Sequence, residues 1–382
     1  MKIIITVASY YPDKNGVQAV TQYQAEGLVK KGHEVIVITK LIEGRENIEF
    51  HNGVKIIRTN IYNKYTLHFG NKNEYRNLIL KESNDADVII AICLQSVSAD
   101  WLLGILDQIK CKKILYMHGM HDFKWYKHDF KNLTDFLKKL IRDIRWKTFY
   151  SFYLNKISKF DLVMHLHKQD DSYKYFEKHN LSKNIIIENC ANDEFFYKTT
   201  YTRKINENYI LCVANYNSRK NQEMIIESFF KANTKDYSLV LIGSKKNKYY
   251  YNLVNKIKRL SAIYGEKKVQ LLTDIKRDEI PNYVSNASCY VMASTWEAFP
   301  ISITEAMASG VPFISTNVGI IKFLPGGVIV DNIDEMSAWI ETFIENQEIS
   351  KQLGEIGKKY AVKNFRKDAK IDKIEENILA IM

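Results

Sequence analysis

The sequence predicts an α/β protein made of parallel sheets in two domains. Short β-branched runs alternate with longer helical patterns along most of the 382 residues, which is typical of βαβ units. A hydrophobic content of 46% is enough for two cores. A polar stretch without apolar periodicity, residues 192–208, separates the two halves. We therefore expect domains at 1–192 and 193–365, followed by a C-terminal helix at 366–382.

The β-branched runs predict strands in both halves. In the first half they are residues 2–8, 35–39, 54–58, 87–92, 113–118, 161–166 and 184–188, and in the second 209–214, 238–243, 268–272, 288–293 and 312–316. The C-terminal helix carries Ile371, Ile374, Ile378 and Leu379 on one face, and we expect this face to pack back on the N-terminal domain.

Cysteine usage and hydropathy indicate a cytoplasmic chain. The five cysteines are scattered singly without a C-x-x-C pair, so neither a disulfide framework nor a zinc ribbon is indicated. The apolar start reaches Tyr10-Tyr11-Pro12 too soon for a signal peptide, and no window approaches the roughly 20 apolar residues of a membrane span.

The net charge of +11 indicates an anionic partner. That partner could be a nucleotide, a nucleic acid or an acidic membrane surface, because charge alone does not distinguish them.

The first βα connection ends at Gly16, where a helix is predicted to begin. Neither G-x-G-x-x-G nor a P-loop pattern occurs in the sequence. A glycine at a helix start still leaves backbone N–H groups free to hold an anion, although Asn15-Gly16 could simply turn the chain.

A second helix start carries two adjacent cations, Arg219 and Lys220. We expect them in the first turn of a helix running through 222–230. Cations there cost about 0.3–1 kcal/mol each, so an anionic ligand would explain them. The alternative is a solvated, screened pair.

Residues 294–312 read as a strand end, a loop, a short helix stopped by Gly310 and a new strand. Glu297 on the loop and Glu305 on the helix would face a crevice at the carboxyl end of a parallel strand, where open α/β sheets bind ligands. Alternatively, Glu305 completes a capping box that starts at Ser302.

The spacing Glu297-x7-Glu305, embedded in the run Glu305-Ala306-Met307-Ala308-Ser309-Gly310-Val311-Pro312, resembles the signature of family 4 glycosyltransferases. The segment 189–192 also stands where that family carries Asn-Gly-Val-Asp. The resemblance implies the GT-B fold, with two Rossmann-like domains facing a central cleft.

The resemblance also implies roles for individual residues. Glu305 would receive the ribose hydroxyls, and Glu297 would contact the donor sugar or diphosphate as a catalytic residue. Two acceptor-only carboxylates suit hydroxyl groups. His118 matches the family's catalytic histidine near the transferred sugar. The remaining donor-binding residues would be Gly16, Arg219, Lys220, Ala298, Phe299 and Pro300.

This sequence departs from the family pattern at three of these places. Asn215 replaces a usual arginine, so Arg219 would supply the charge from a shifted position. Ala298 and Pro300 replace common glycines, which would reshape the donor-sugar pocket.

The implied activity is a retaining transfer of a hexose or N-acetylhexosamine from a nucleotide-diphosphate sugar, expected to be UDP-linked. The acceptor would be a glycan or lipid-linked saccharide in cell-surface polysaccharide or glycoconjugate synthesis. We expect no metal, because Asp85-Ala86-Asp87 leads into a strand and marks strand entry rather than a metal site. Two alternatives are a GT-B nucleotide-sugar epimerase or hydrolase, and a basic nucleic-acid-binding protein.

The region 123–160 combines lysines and arginines with aromatic residues. Leu133, Leu137, Leu140 and Ile144 form an apolar stripe at helical spacing. Such a helix would lie on the anionic inner face of a membrane, or it would pack its stripe on the first domain.

Overall fold

The computed structural model describes residues 1–13, 16–64, 66–125, 130, 132–197 and 204–382. The chain divides into two compact units. The N-terminal unit consists of Met1–Ile187 with Ile371–Met382, and the C-terminal unit consists of Glu188–Lys370.

The N-terminal unit is built on a predominantly parallel sheet. Its strands are β1 (Lys2–Thr6), β2 (Glu34–Lys40), β3 (Ile48–His51), β4 (Val54–Thr59), β7 (Val88–Ile92), β8 (Lys112–Tyr116), β9 (Leu162–His165) and β10 (Lys183–Ile186). The spatial order is β10-β9-β8-β7-β1-β2-β4-β3, and β3 is antiparallel to β4. A separate hairpin consists of β5 (Ile61–Lys64) and β6 (Leu67–Gly70).

The helices of this unit follow its strands along the chain. They are α1 (Gly16–Lys30), α2 (Lys72–Ser83), α3 (Val97–Leu102), α4 (Leu133–Ile157) and α5 (Asp171–Lys178), and the unit also holds most of α12 (Lys367–Leu379).

The C-terminal unit contains a parallel sheet of the same kind. Its strands are β11 (Tyr209–Val213), β12 (Ser238–Ile242), β13 (Val269–Leu272), β14 (Cys289–Met292), β15 (Phe313–Thr316) and β16 (Gly327–Val330), in the order β13-β12-β11-β14-β15-β16. Its helices are α6 (Gln222–Lys231), α7 (Lys248–Tyr264), α8 (Ile280–Ser285), α9 (Ile301–Ala308), α10 (Ile333–Glu345) and α11 (Gln347–Asn364).

Both sheets are covered on both faces, and this explains their sequence pattern. Every residue of β7 and of β12 is buried, as expected for central parallel strands that read as continuous apolar runs. The predicted α/β fold with parallel sheets is confirmed.

Each predicted strand is present, with ends shifted by a few residues. The prediction for 113–118 was too long at its end, because β8 stops at Tyr116 and leaves His118 in the following connection. The strands β3, β5, β6 and β16 were not predicted. They are short, and β3, β5 and β6 are largely exposed, so their side chains carry no buried-strand pattern.

The stretch 192–208 is not a uniformly polar linker. Residues 193–195 form a 3-10 turn, and Phe195 and Phe196 are buried in the C-terminal unit. The predicted boundary after residue 192 lies inside this unit, because Glu188 pairs with Lys370 and the N–H of Ala191 donates to the carbonyl of Phe365. Within this predicted linker, Lys198-Thr199-Thr200 and the three residues that follow lie outside the described residues.

Within the N-terminal unit, α12 packs on α1. A Cβ at Gly27 of α1 would lie 2.6 Å from the Ile371 side chain, so a larger residue there would force Ile371 to shift. Lys31 pairs with Asp372 and Glu375 at 2.7 Å. Ile371, Ile374 and Ile378 are buried as predicted. Leu379 was wrongly placed on this face, because it lies at the helix end and is exposed.

Candidate active site

The C-terminal sheet has a topological switch point between β11 and β14. From β11 the chain proceeds to β12 and β13 on one side, and from β14 to β15 and β16 on the other. The two strands are parallel neighbours that pair Ile210 with Cys289. Connections leaving their carboxyl ends diverge at such a point and open a crevice, which is where α/β sheets bind ligands.

The connection after β11 carries Arg219 and Lys220, in a geometry different from the predicted one. Residues 218–220 form a separate 3-10 turn, and Asn221 follows in the left-handed conformation with φ of 51°. Helix α6 begins only at Gln222. The two cations therefore do not occupy the first turn of α6, because Asn221 redirects the backbone before that helix starts.

The turn at 218–220 is held against the loop that follows β14. The N–H of Thr295 donates to the carbonyl of Arg219 at 2.8 Å, and the Arg219 guanidinium lies 5.6 Å from the centre of the Trp296 ring. Lys220 forms an ion pair with Glu297. The structure thus brings together three predicted donor-site residues, Arg219, Lys220 and Glu297, at the switch point.

Glu305 lies in the middle of α9 and is only 2% exposed. It pairs with Arg277, whose Nη1 lies 3.3 Å from Oε2 while Nη2 bonds Oε1. The capping-box alternative is wrong, because α9 begins at Ile301 with Pro300 in the N-cap position. A buried carboxylate needs a cation or hydrogen-bond donors, and Arg277 meets this need.

Arg277 was not identified from the sequence. It stands in the connection between β13 and α8, with nothing in its neighbours to mark it, and half of its side chain is exposed. Its guanidinium also lies 5.4 Å from the centre of the Phe195 ring. Next to it is a cavity of about 320 Å³, lined by Asn192, Glu194, Phe195, Arg277, Asp278 and Pro281.

The loop between Glu297 and α9 is fixed from two sides. Asn189 donates from Nδ2 to the carbonyl of Phe299 at 2.8 Å. Gly319, with φ of 55°, lies so close that a Cβ there would be 2.4 Å from the carbonyl oxygen of Ala298. These two supports were also missed, because neither residue carries a charge or belongs to the Glu-x7-Glu signature.

The predicted contacts within this loop differ in accessibility. Ala298 is partly exposed, whereas Phe299 and Pro300 are buried. The Phe299 ring packs edge-on against Phe365. The Phe299 side chain is therefore packed inside the C-terminal unit and is not available to a ligand.

Gly16 and His118 both belong to the N-terminal unit. Gly16 is the first residue of α1, and a Cβ there would meet open space in the described part of the chain. The preceding Asn15 lies outside the described residues.

His118 follows β8 and its ring lies 4.4 Å from the ring of Tyr116. Burial lowers the pKa of His118 to about 3, so the imidazole is neutral near pH 7. Its Nε2 is buried and has no hydrogen-bond partner among the described residues. A neutral ring can donate or accept a hydrogen bond but is a poor general acid at this pH.

The Asp85-Ala86-Asp87 segment serves strand entry, as predicted. Asp87 accepts from the backbone N–H of Lys2 at 2.7 Å, and Asp85 pairs with the Lys2 side chain at 2.6 Å. Both carboxylates therefore fix the start of β1 beside β7.

Two family descriptions match the chain, one on each unit. Residues 14–164 match "Glycosyltransferase Family 4", and residues 196–360 match "Glycosyl transferases group 1". The chain belongs to the family 4 glycosyltransferases.

Curated relatives of this family 4 chain match it in part. It is 25% identical over 227 residues to the O-antigen biosynthesis glycosyltransferase WclY of Escherichia coli, covering 57% of this chain and 58% of that protein. It is 30% identical over 145 residues to the human GDP-Man:Man(3)GlcNAc(2)-PP-Dol alpha-1,2-mannosyltransferase, covering 36% and 30%. The matches thus span 58% or less of these two relatives' own length.

Solved structures show that the fold of this family 4 chain is that of GT-B glycosyltransferases. Sucrose-phosphate synthase from Thermosynechococcus elongatus has a TM-score of 0.74 at 15% identity, covering 100% of this chain and 98% of its own. Anabaena HepE, in complex with UDP and glucose, has a TM-score of 0.72 at 16% identity, covering 100% of both chains. The nucleic-acid-binding and epimerase or hydrolase alternatives receive no support from these matches.

Proposed function

We propose that the chain is a retaining glycosyltransferase that moves a hexose or N-acetylhexosamine from a nucleotide-diphosphate sugar. The acceptor is a glycan or lipid-linked saccharide of cell-surface polysaccharide or glycoconjugate synthesis, and the reaction takes place at the cytoplasmic face of the membrane. Family membership supports the reaction class. The relatives' names support the acceptor class, since one acts in O-antigen biosynthesis and another on a dolichol-linked saccharide.

The observation that carries the proposal is the Lys220–Glu297 pair at the switch point between β11 and β14. Transfer breaks the bond between the anomeric carbon and the diphosphate oxygen, and an acceptor hydroxyl oxygen then bonds that carbon. The departing diphosphate gains negative charge, balanced by the proton that the acceptor hydroxyl loses. A preorganised cation stabilises this charge most in the transition state. Lys220 and Arg219 would supply this cation, and their contacts with Glu297 and Trp296 at the switch point support the assignment.

Glu297 has a second role in this arrangement. Its carboxylate is the partner that orients Lys220. When phosphate oxygens take the lysine, the Glu297 carboxylate is free to accept hydrogen bonds from the donor sugar's hydroxyls. The Glu297 side chain is 12% exposed, so the carboxylate is largely shielded from bulk water but is not fully buried.

Glu305 would bind the ribose. A carboxylate accepts two hydrogen bonds at once and therefore suits the neighbouring 2′- and 3′-hydroxyls. Because Arg277 occupies both oxygens of Glu305, ribose binding would have to displace or share this guanidinium.

We expect a UDP-linked donor and no metal requirement. The UDP complex of HepE supports the donor class. The cations Arg219 and Lys220 supply the positive charge that a divalent metal provides in other transferases.

We also propose that α4 holds the enzyme on an anionic membrane. The stripe does not pack on the unit, since Leu133, Leu137 and Ile144 are exposed and Leu140 is half-buried. Ile141 and Phe152 extend the same exposed face, at 65% and 77%. The exposed Lys138, Arg142 and Lys147 flank it. Exposed apolar side chains bordered by cations suit the interface of anionic lipids. Two further members of the basic and aromatic region 123–160, Tyr126 and Lys131, lie outside the described residues.

No helix in the described ranges is long and apolar enough to cross a bilayer. Membrane contact through α4 would accordingly be interfacial.

Thermal denaturation with a panel of UDP- and GDP-sugars, in the presence of a chelator, tests the proposed donor site. A ligand at 100 times its Kd stabilises a protein by about 2.7 kcal/mol, which gives a measurable shift in Tm. We expect at least one donor to shift the wild type and Glu305→Gln to lose this shift. Product analysis by NMR then shows whether the anomeric configuration is retained.

Glu355→Gln is the matched control, because Glu355 is an exposed carboxylate on α11. It should keep the wild-type response. The proposal fails if no donor shifts the wild type with or without Mg²⁺, or if Glu305→Gln responds as strongly as the control.

A further inference from the structure

Three neighbouring strands of the N-terminal sheet end beside buried polar atoms that lack partners. The atoms are Nε2 of Gln95 after β7, Nε2 of His118 after β8 and Oδ2 of Asp170 after β9, and none has a hydrogen-bond partner within the described ranges. Buried polar groups in folded proteins are almost always hydrogen-bonded. Three exceptions at the carboxyl ends of adjacent strands point to a ligand.

Gln95 stands at the switch point of this sheet, between β1 and β7. The chain runs from β1 to β2 and β4 on one side and from β7 to β8, β9 and β10 on the other. Gln95 has φ of 69°, and Cys93 before it has φ of 58°. Left-handed conformations in residues other than glycine are costly and concentrate at functional sites.

The orientation of the Gln95 side chain is determined by its neighbours. Its backbone N–H donates to Oδ1 of Asp100 at 2.8 Å. The backbone N–H of His121 donates to its Oε1 at 2.8 Å. Because a backbone N–H can only donate, the amide oxygen must face His121 and Nε2 must face away. A donor is thus held in place without an acceptor.

Among the described residues, only one of the two Asp170 carboxylate oxygens has a hydrogen-bond partner. Oδ1 caps α5 by accepting from the N–H of Ser172 at 2.8 Å. Oδ2 is left as an acceptor, and burial raises the pKa of this carboxyl. A hydroxyl donor at Oδ2 would stabilise the charged form.

Tyr150 of α4 adds a fourth group. The side chain is 2% exposed, and its hydroxyl has no partner in the described part of the chain. Burial raises the pKa of Tyr150, and the charges of Asp100, Cys93 and Asp170 raise it further. The Tyr150 ring lies 5.0 Å from the ring of Tyr175, which belongs to α5, the helix that Asp170 caps after β9.

We propose that Gln95, Tyr150 and Asp170 bind hydroxyl groups of the acceptor saccharide beside His118. An amide donor, a carboxylate acceptor and a phenol that does both are complementary to sugar hydroxyls, which each donate and accept. A phosphate is disfavoured because it would meet the Asp170 carboxylate. The inference rests on the proposed transferase function, but it concerns the acceptor rather than the donor.

Ligand-observed NMR with methyl pyranosides of glucose, galactose, mannose and N-acetylglucosamine tests this site. Tyr150→Phe removes only a hydroxyl that has no partner among the described residues, so the fold should tolerate it. Asp170→Asn keeps the N-cap, because asparagine caps as well as aspartate. We expect at least one glycoside to bind the wild type and each variant to weaken it at least tenfold, while UDP binding stays unchanged.

Tyr75→Phe is the matched control. Tyr75 is also a fully buried tyrosine of the N-terminal unit, but its hydroxyl donates to the carbonyl of Ser98 and bonds Thr6 Oγ1. This variant should lose stability and keep glycoside binding. The inference is overturned if no glycoside binds the wild type, if Tyr150→Phe and Asp170→Asn bind as the wild type does, or if only ordered water occupies these atoms in a glycoside-soaked crystal. If the wild type does not bind UDP, the proposed donor site is refuted instead, and the acceptor inference is not decided by that result.

Discussion

Lys220 and Glu297 form an ion pair across the gap between β11 and β14, the two strands from which the C-terminal sheet winds in opposite directions. The residues are far apart in sequence, and parallel pairing of the two strands brings their connections together. Both side chains are largely shielded, at 20% and 12% exposed. The pair therefore preorganises a cation at the point where the fold itself opens a crevice.

Lys220→Met tests the role of this cation. We expect kcat/KM for the donor to fall on the order of 10²–10³-fold, the range seen when one preorganised electrostatic group is removed. Steady-state kinetics with the donor found by denaturation measures the change.

Lys256→Met is the control for Lys220→Met. Lys256 pairs with Glu227 and is 19% exposed, so this variant breaks a comparable ion pair on α6 and α7. Equal losses in both variants would show that Lys220 acts through stability rather than through the diphosphate.

The fold was predictable from the sequence because buried parallel strands such as β7 and β12 are continuous apolar runs. The hairpin β5–β6 was not, because most of its side chains are exposed and alternate without an apolar face. The start of α6 also escaped prediction. Only the left-handed φ of Asn221 separates the Arg219–Lys220 turn from the helix, and no residue type specifies that angle uniquely.

The residues of the candidate site that could be predicted are those that belong to a local sequence pattern. Glu297 and Glu305 stand in one short run, and Lys220 was found as a cation near a helix start. Arg277 was not, because its pairing with Glu305 depends on how α8 and α9 pack, which local sequence does not encode. Asn189 was noted only as part of a segment, and its bond to Phe299 is likewise a tertiary contact.

Arg277→Met should separate stability from nucleotide binding. It leaves the buried Glu305 carboxylate without its cation, so we expect the free energy of unfolding to fall by about 1–2 kcal/mol, less than for a fully buried pair because Arg277 is half exposed. Since Arg277 and the ribose use the same oxygens, UDP affinity should stay the same or rise.

Calorimetric titration with UDP and urea unfolding measure the two effects of Arg277→Met. Glu305→Gln is the counterpart, and it should lose UDP affinity. A large loss of UDP affinity in Arg277→Met would mean that Arg277 itself binds the nucleotide and does not compete with it.

Ile141→Glu should release the chain from anionic vesicles. The substitution removes a 65% exposed apolar side chain from the α4 stripe and adds a charge that anionic lipids repel. Burying an isoleucine contributes about 1.5–3 kcal/mol, so the partition coefficient should fall at least about tenfold. Co-sedimentation with phosphatidylglycerol vesicles gives this coefficient.

Ile263→Glu is the control for the membrane experiment. Ile263 is 70% exposed on α7 of the C-terminal unit and has no place in the stripe. Equal release by both variants, or wild-type binding that is no stronger with phosphatidylglycerol than with phosphatidylcholine vesicles, would contradict docking through α4.

Stability should fall as the pH drops below neutrality, because the buried His165 and the half-buried His118 of the N-terminal unit resist protonation. Burial lowers the pKa of His118 to about 3 and that of His165 to about 4. In the unfolded chain both protonate near pH 6.5. Between pH 6.5 and 4 the unfolded state therefore binds more protons than the folded state, and the free energy of unfolding decreases as pH falls.

Protonation of these two histidines in the unfolded state should lower the free energy of unfolding by about 2.5 kcal/mol between pH 7 and pH 5.5. Each proton that binds the unfolded but not the folded state contributes about 1.4 kcal/mol per pH unit. Urea unfolding at several pH values measures this slope. His118→Asn should reduce it by about half, whereas replacing the exposed His179 with Asn should leave it unchanged. A slope that His118→Asn does not alter would mean that His118 is accessible to protons in the folded protein, and the neutral imidazole assigned to the candidate site would then be wrong.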